Sequence, residues 1–169
     1  TPWNPKKSDF TLVASLKDCS KKKDLHKGTQ IHEDILKTKN DGLLQKNPYL
    51  ASALINMYAK CGKLKKAQEV HDLLHVRRTV SWNALISGYV QHGQTHRAFD
   101  SFEQMQGEGL SPDPVTYICM LKACGKVVAI NKGKEIHEDI VRKGMLKRNI
   151  VLGTALVDMY AKCDAITKA

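Results

Sequence analysis

The 169-residue chain is 42% hydrophobic and 26% charged, with eleven Gly and five Pro, a composition that supports a packed core and excludes a disordered or low-complexity chain. Twenty-seven Lys and Arg against seventeen Asp and Glu leave a net charge of +10, which points to a polyanionic partner, nucleic acid before an anionic membrane. No apolar run approaches the ~18–20 residues of a membrane span, and the opening TPWNPKKSDFT has neither an apolar signal region nor an Arg-rich amphipathic character.

Internal repetition sets the order of the elements. MYAKC stands at 57–61 and again at 159–163, 102 residues on, while IHEDI stands at 31–35 and 136–140, 105 residues on. LKDC at 16–19 and LKAC at 121–124 share the larger offset. The change of offset places a three-residue insertion in the first copy, within KTKNDGLLQKN. A period of this length fits three helical hairpins.

Residues 1–8 read as the tail of a preceding unit. The units then run 9–47, 48–78, 79–113, 114–149 and a truncated 150–169. In 48–78, Leu54, Ile55, Met57 and Tyr58 lie at helical spacing before Gly62, and Leu64, Ala67, Val70, Leu73 and Leu74 follow. In 79–113, Trp82, Leu85, Ile86 and Tyr89 precede Gly93; Ala98, Phe99, Phe102 and Met105 follow and end at Gly107 and Gly109, with Pro112 and Pro114 beyond. No stretch offers sustained strand alternation. The expected fold is all-α, a right-handed α-solenoid of stacked helix-turn-helix repeats, because one hairpin cannot bury its apolar face alone.

VSWNALISGYVQHGQTHRAFDSFEQMQGEGLSPDPVTY, SALINMYAKCGKLKKAQEVHDLL and VTYICMLKACGK…GKEIHEDIVRKG resemble the P-type, S-type and L-type motifs of the plant pentatricopeptide repeat (PPR) family, in its variant of alternating repeat lengths. The unit order L, S, P, L, S covers nearly the whole chain. The resemblance implies recognition of single-stranded RNA at one base per repeat, in mitochondrion or chloroplast, in RNA processing and foremost cytidine-to-uridine editing. It implies no catalysis by this chain and no cofactor. The competing class is a protein-binding scaffold like the tetratricopeptide arrays, whose Trp, Leu, Tyr, Ala, Phe pattern is partly met by Trp82, Leu85, Tyr89, Ala98 and Phe102.

Carried over from the family, base choice falls to the fifth and last residues of each unit: Val13 with Asn47, Ser52 with Arg78, Asn83 with Asp113, Ile118 with Asn149, and Thr154 in the truncated unit. Asn83 with Asp113 implies uracil, since an amide offers both a donor and an acceptor. Asn83 is expected to face an open groove. Val13 and Ile118 cannot hydrogen-bond a base. Val80 and Val115, at the second position, would sandwich the base read by Asn83; Phe10 and Tyr49 share that register with them. Position thirteen is Lys21, Lys60, Gln91, Lys126 and Lys162, a cation per repeat suited to phosphate contact or, alternatively, to a helix C-terminus.

Other chemistry is missing from the pattern. IHEDI begins like HExxH twice but lacks the second His, so no metal site is expected and packing is favoured for His32 and His137. Cys19, Cys61, Cys119, Cys124 and Cys163 read as reduced, helix-buried thiols. No nucleophile–base set or phosphate loop occurs. A deaminase domain would show HxE…CxxC, so any editing deaminase would be another domain or factor. The chain reads as part of a longer protein, whose last apolar face (Leu156, Val157, Met159, Tyr160) is expected to be open to self-association.

Overall fold

The computed structural model describes residues 7–37 and 41–167, and every regular element among them is helical. The elements are α1 (Lys7–Lys22), α2 (Leu25–Lys37), α3 (Asp41–Lys46), α4 (Pro48–Lys60), α5 (Leu64–Asp72), α6 (Thr79–Gln91), α7 (Thr95–Gly107), α8 (Pro114–Val127), α9 (Ile130–Arg142), a 3-10 turn (Met145–Arg148) and α10 (Ile150–Thr167). They fall into two compact bodies, one through Gly88 and one from Tyr89, with the boundary inside α6.

In the first body α1 and α2 both pack on α4, and α4 packs on α5. In the second, α8 and α9 both pack on α10 in the same manner. Each core is built from the apolar stripes of these helices: Leu16, Leu50, Leu54, Ile55 and Met57 in the first, Met105, Tyr117, Met120, Leu152 and Met159 in the second.

One turn geometry recurs in every hairpin. The fifteenth residue of each complete unit, Lys23, Gly62, Gly93 and Val128, has positive φ. Behind it, the amide of the following residue reaches back to the eleventh carbonyl: Asp24 to Cys19, Lys63 to Tyr58, Gln94 to Tyr89 and Ala129 to Cys124, at 2.8–3.0 Å. This satisfies a carbonyl that the helix end would otherwise orphan. Glycine adopts that conformation without steric cost. Val128 does so against the clash of a β-branched side chain, and is the strained member of the set.

The two strings that repeat along the chain meet in space. His32 on α2 contacts Tyr58 on α4 through Nδ1 and the phenol oxygen, 2.9 Å apart; His137 on α9 meets Tyr160 on α10 in the same way at 3.0 Å. Both ring pairs are edge-on. Beside each, a glycine receives a methionine: a Cβ on Gly28 would stand 2.4 Å from Met57 Sδ, and one on Gly133 2.6 Å from Met159 Sδ. The IHEDI histidines are therefore packing residues. Two further edge-on pairs, His71–Trp82 and Phe102–Tyr117, join the next second helix to the next first helix, so each of the four successive junctions carries one aromatic pair.

Residues 38–40, within the KTKNDGLLQKN segment where the three-residue insertion falls, lie outside the described residues. Just after them Asp41–Lys46 forms α3, where the second copy has only the 3-10 turn. Gln45 of α3 donates to the Leu73 carbonyl and accepts from the His75 amide, both at 2.8 Å, and so fastens the end of the α5 hairpin.

The apolar face of α10 differs from expectation. Leu156 and Met159 are buried and Tyr160 is half-buried, leaving Val157 exposed. Packing on α8 and α9 covers the stripe that was expected to be open. No described helix is long and apolar enough to cross a membrane.

Candidate nucleic-acid interface

The helices α4, α6, α8 and α10 begin at Pro48, Thr79, Pro114 and Ile150, the first residues of their units. Asn47 caps α4, its Oδ1 accepting from the Tyr49 amide at 3.1 Å and the Leu50 amide at 2.9 Å. Asp113 caps α8 through a reciprocal pair: its Oδ1 accepts from the Thr116 amide at 2.9 Å, and its own amide donates to Thr116 Oγ1 at 3.1 Å. Asn149 Oδ1 accepts from the Leu152 amide at 3.0 Å. At Arg78, which has no acceptor, Ser81 serves instead: its Oγ donates to the Arg78 carbonyl at 2.8 Å and accepts the Arg78 amide at 3.3 Å. Asn-Pro and Asp-Pro at 47–48 and 113–114 are the sequence signal for these caps.

From that start, the second position turns outward. Phe10, Tyr49, Val115 and Val151 are 62%, 61%, 54% and 64% exposed, and Val80 is half-buried. The second position thus carries an apolar side chain in every unit, exposed in four of the five and half-buried at Val80. The fifth position lies on the same side of each helix. Val13, Ser52 and Ile118 are half-buried and Thr154 is exposed, its hydroxyl bonded to the Ile150 carbonyl at 3.0 Å. Asn83 departs from expectation: it is only 8% exposed, where the sequence pattern suggested open space.

The position-thirteen lysines differ in their engagement. Lys126 Nζ donates to the Val90 carbonyl at 2.6 Å, across the end of α6. Lys162 pairs with Asp158 at 2.7 Å. Lys21 and Lys60 make no hydrogen bond or ion pair among the described residues. Lys143, at the end of α9, is engaged by Asp139 and Tyr117, at 3.1 and 2.7 Å. Burial works against the Lys143 charge, yet its two oxygen partners hold the ammonium above its ordinary range.

The thiols carry no visible chemistry. Burial pushes Cys124 up to about 12, and the other shifted thiols, Cys19, Cys61 and Cys163, are raised chiefly by burial as well. Thiolate is the nucleophile and metal ligand, so these groups are held in the unreactive form. Among the described residues no three of His, Cys, Asp and Glu are grouped to hold a metal.

The PPR repeat family matches residues 77–126, and a PPR repeat matches 50–78. These are pentatricopeptide repeats. Pentatricopeptide repeat-containing proteins of Arabidopsis thaliana align over almost the whole chain. One is 38% identical over 96% of this chain and 23% of its own length. A mitochondrial one is 38% identical over 95% and 15%, and a chloroplastic one, CRR2, is 36% identical over 96% and 24%. The chain thus spans about a quarter or less of these relatives. The crystal structure of the pentatricopeptide repeat protein PPR10 from maize matches 98% of this chain and 23% of that chain, with a TM-score of 0.69 at 23% identity. The pentatricopeptide fold, an α-solenoid of helical hairpins, is the one this sequence adopts.

Proposed function

We propose that this chain is a sequence-recognising, single-stranded RNA-binding segment of an organellar pentatricopeptide protein, with repeats in the alternating order L, S, P, L, S. Recognition would serve RNA processing, cytidine-to-uridine editing foremost, with the deamination carried out by a domain or factor outside this chain. The observation that carries the proposal is the recurrence of exposed apolar side chains at position two. Phe10, Tyr49, Val115 and Val151 offer an apolar contact near the start of the first helix in four of the five units. Base stacking on such platforms adds about 1–3 kcal/mol per base for aromatic side chains and tolerates any sequence. Val80 and Val115 would hold one base, and Asn83 with Asp113 would choose it, with uracil preferred. Ser52 with Arg78 and Thr154 would face neighbouring bases, while Val13 and Ile118, with Asn47 and Asn149, would discriminate least. The net charge of +10 and Lys21, Lys60, Lys126 and Lys162 would supply attraction to phosphate. Mitochondrial and chloroplastic relatives support an organellar setting.

The test is a randomised-RNA selection on the wild type and on Asn83→Thr, with thermal melts alongside. The proposal expects preference to move from uracil toward guanine at one nucleotide, by roughly 1–3 kcal/mol. Because Asn83 is nearly buried, some stability also falls. A variant that weakens all sequences alike would refute the role of Asn83. Wild type that binds peptides but no RNA at low salt would refute the function.

A further inference from the structure

The first helices carry a second periodic feature that the base-reading positions do not use. Positions five, nine and thirteen are spaced by four residues and so follow one edge of each helix, turn by turn. Position nine is Lys17, Asn56, Ser87, Lys122 and Asp158. Cations stand there only in the units beginning at 9 and 114, whose fifth residues are Val13 and Ile118. The edge thus reads Val13, Lys17, Lys21 on α1 and Ile118, Lys122, Lys126 on α8. Where the fifth position keeps a polar side chain (Ser52, Asn83, Thr154), the ninth is uncharged or acidic. Asp158 goes further and takes up Lys162 in an ion pair.

Lys17 and Lys122 are both exposed. Neither makes a hydrogen bond or ion pair among the described residues. Of the other lysines on first helices, Lys22, Lys162 and Lys126 are engaged, with Asp18, Asp158 and the Val90 carbonyl, while Lys21 and Lys60 at position thirteen are not. Two unengaged ammonium groups at equivalent places, each four residues beyond an apolar fifth position, are suited to backbone phosphate and not to a base edge.

We propose that Lys17 and Lys122 are phosphate-binding residues, and that the units beginning at 9 and 114 grip the RNA backbone where the others read bases. This rests on the RNA-binding proposal above and divides its labour among the repeats. Lys17 with Lys21 in the first of these units, and Lys122 in the second, would neutralise phosphates of the single strand, without regard to sequence. The apolar fifth residue then avoids leaving a polar group unmatched against whichever base arrives.

The test measures anisotropy of a labelled 20-mer of oligouridine against salt, using the whole chain. Lys17→Gln with Lys122→Gln is compared with Lys65→Gln and Lys134→Gln. The comparison pair lies exposed on the second helices α5 and α9 and lowers net charge equally. We expect the slope of log affinity against log salt to flatten by roughly 1.4 for the first pair, about 0.7 per lost single-strand contact, and by much less for the second. Lys17→Arg with Lys122→Arg should keep the wild-type slope, and base preference should be the same throughout. Equal slopes for the two Gln pairs would overturn this assignment while leaving RNA binding intact. Wild type that fails to bind the 20-mer or a random RNA pool would overturn the RNA-binding proposal, and this one with it.

Discussion

Gly88→Ala tests whether the contact between successive first helices is as tight as the structure makes it. A Cβ added to Gly88 on α6 would lie 2.7 Å from the Ala59 Cβ on α4 and 3.4 Å from Leu64 Cδ2. Carbon atoms rest at about 3.5–4.0 Å, so α4 and α6 must part by nearly 1 Å. A methyl has no torsion by which to yield. Overpacking of this kind costs about 1–3 kcal/mol, against roughly 1 kcal/mol gained by replacing Gly inside a helix. The expected result is a net loss of up to about 2 kcal/mol, read by urea unfolding under far-ultraviolet circular dichroism. Ala59→Gly in the same chain should restore most of it, giving a coupling of about 1–3 kcal/mol. Gly153→Ala on α10, where nothing lies within 4 Å of the new methyl, is the matched control and should gain roughly 0.5–1 kcal/mol. If Gly88→Ala is as stable as wild type and Ala59→Gly gives no rescue, the close approach is refuted.

Val128→Gly should raise the midpoint of thermal unfolding, with a gain of up to about 1 kcal/mol, because glycine removes the left-handed strain at φ 56°; a lowered midpoint would mean that the turn is not strained. Asn47→Ala should cost about 1–2 kcal/mol in urea unfolding by orphaning two amides, and Asn47→Asp should retain most of that stability. Burial holds His32 below its ordinary value, so the unfolded chain takes up the proton first. Stability from this residue is therefore complete above about pH 6.5, the unfolded value, and is lost as pH falls from there through the lower folded value. His32→Gln should flatten the pH dependence of unfolding between about pH 7 and 5, whereas an unchanged profile would assign it to other groups.

Hairpins were legible in the sequence because apolar side chains recur at helical spacing and Gly62 and Gly93 punctuate them. Lys23 and Val128 hold the same backbone conformation without announcing it, since nothing in a Lys or Val side chain favours positive φ. Only their alignment with Gly62 and Gly93 could have exposed them. The duplicated IHEDI and MYAKC strings were visible as repeats. That they are partners, His to Tyr and Gly to Met, depends on which helix faces which, a property of stacking that one-dimensional spacing does not carry. Helix α3 escaped because six residues show no full period, and its hold on the chain comes from Gln45 bonding to main chain 28 residues or more away. The lysines at position thirteen looked alike in sequence. Lys126 is distinguished by a backbone carbonyl, which every residue possesses and which sequence cannot single out. Asn83 was placed correctly on its helix, but its depth is set by neighbours that helical spacing does not locate.

The last residue of a unit does two jobs, and this decides how its substitution must be interpreted. Asp113 starts α8 by accepting from Thr116, and it is also half of the proposed base-reading pair with Asn83. Asp113→Ala removes both roles, so weaker RNA binding in that variant would not separate lost recognition from a frayed helix. Asp, Asn and Ser are nearly equivalent as caps, whereas Ala costs about 1 kcal/mol. Asp113→Asn and Asp113→Ser therefore keep the helix start and change only what is offered toward a base. If the residue reads a base, both should melt with wild type and yet alter preference at one nucleotide. If it is a cap alone, both should melt and bind as wild type, and only Asp113→Ala should weaken binding, for every RNA alike. The same logic covers Asn47 and Asn149, which cap α4 and α10. It fails at Arg78, where Ser81 has taken over the local bonds and the side chain is exposed. Arg78→Ala should then change RNA binding with no loss of stability, which makes Arg78 the position where the contribution of the last residue can be measured free of its helix.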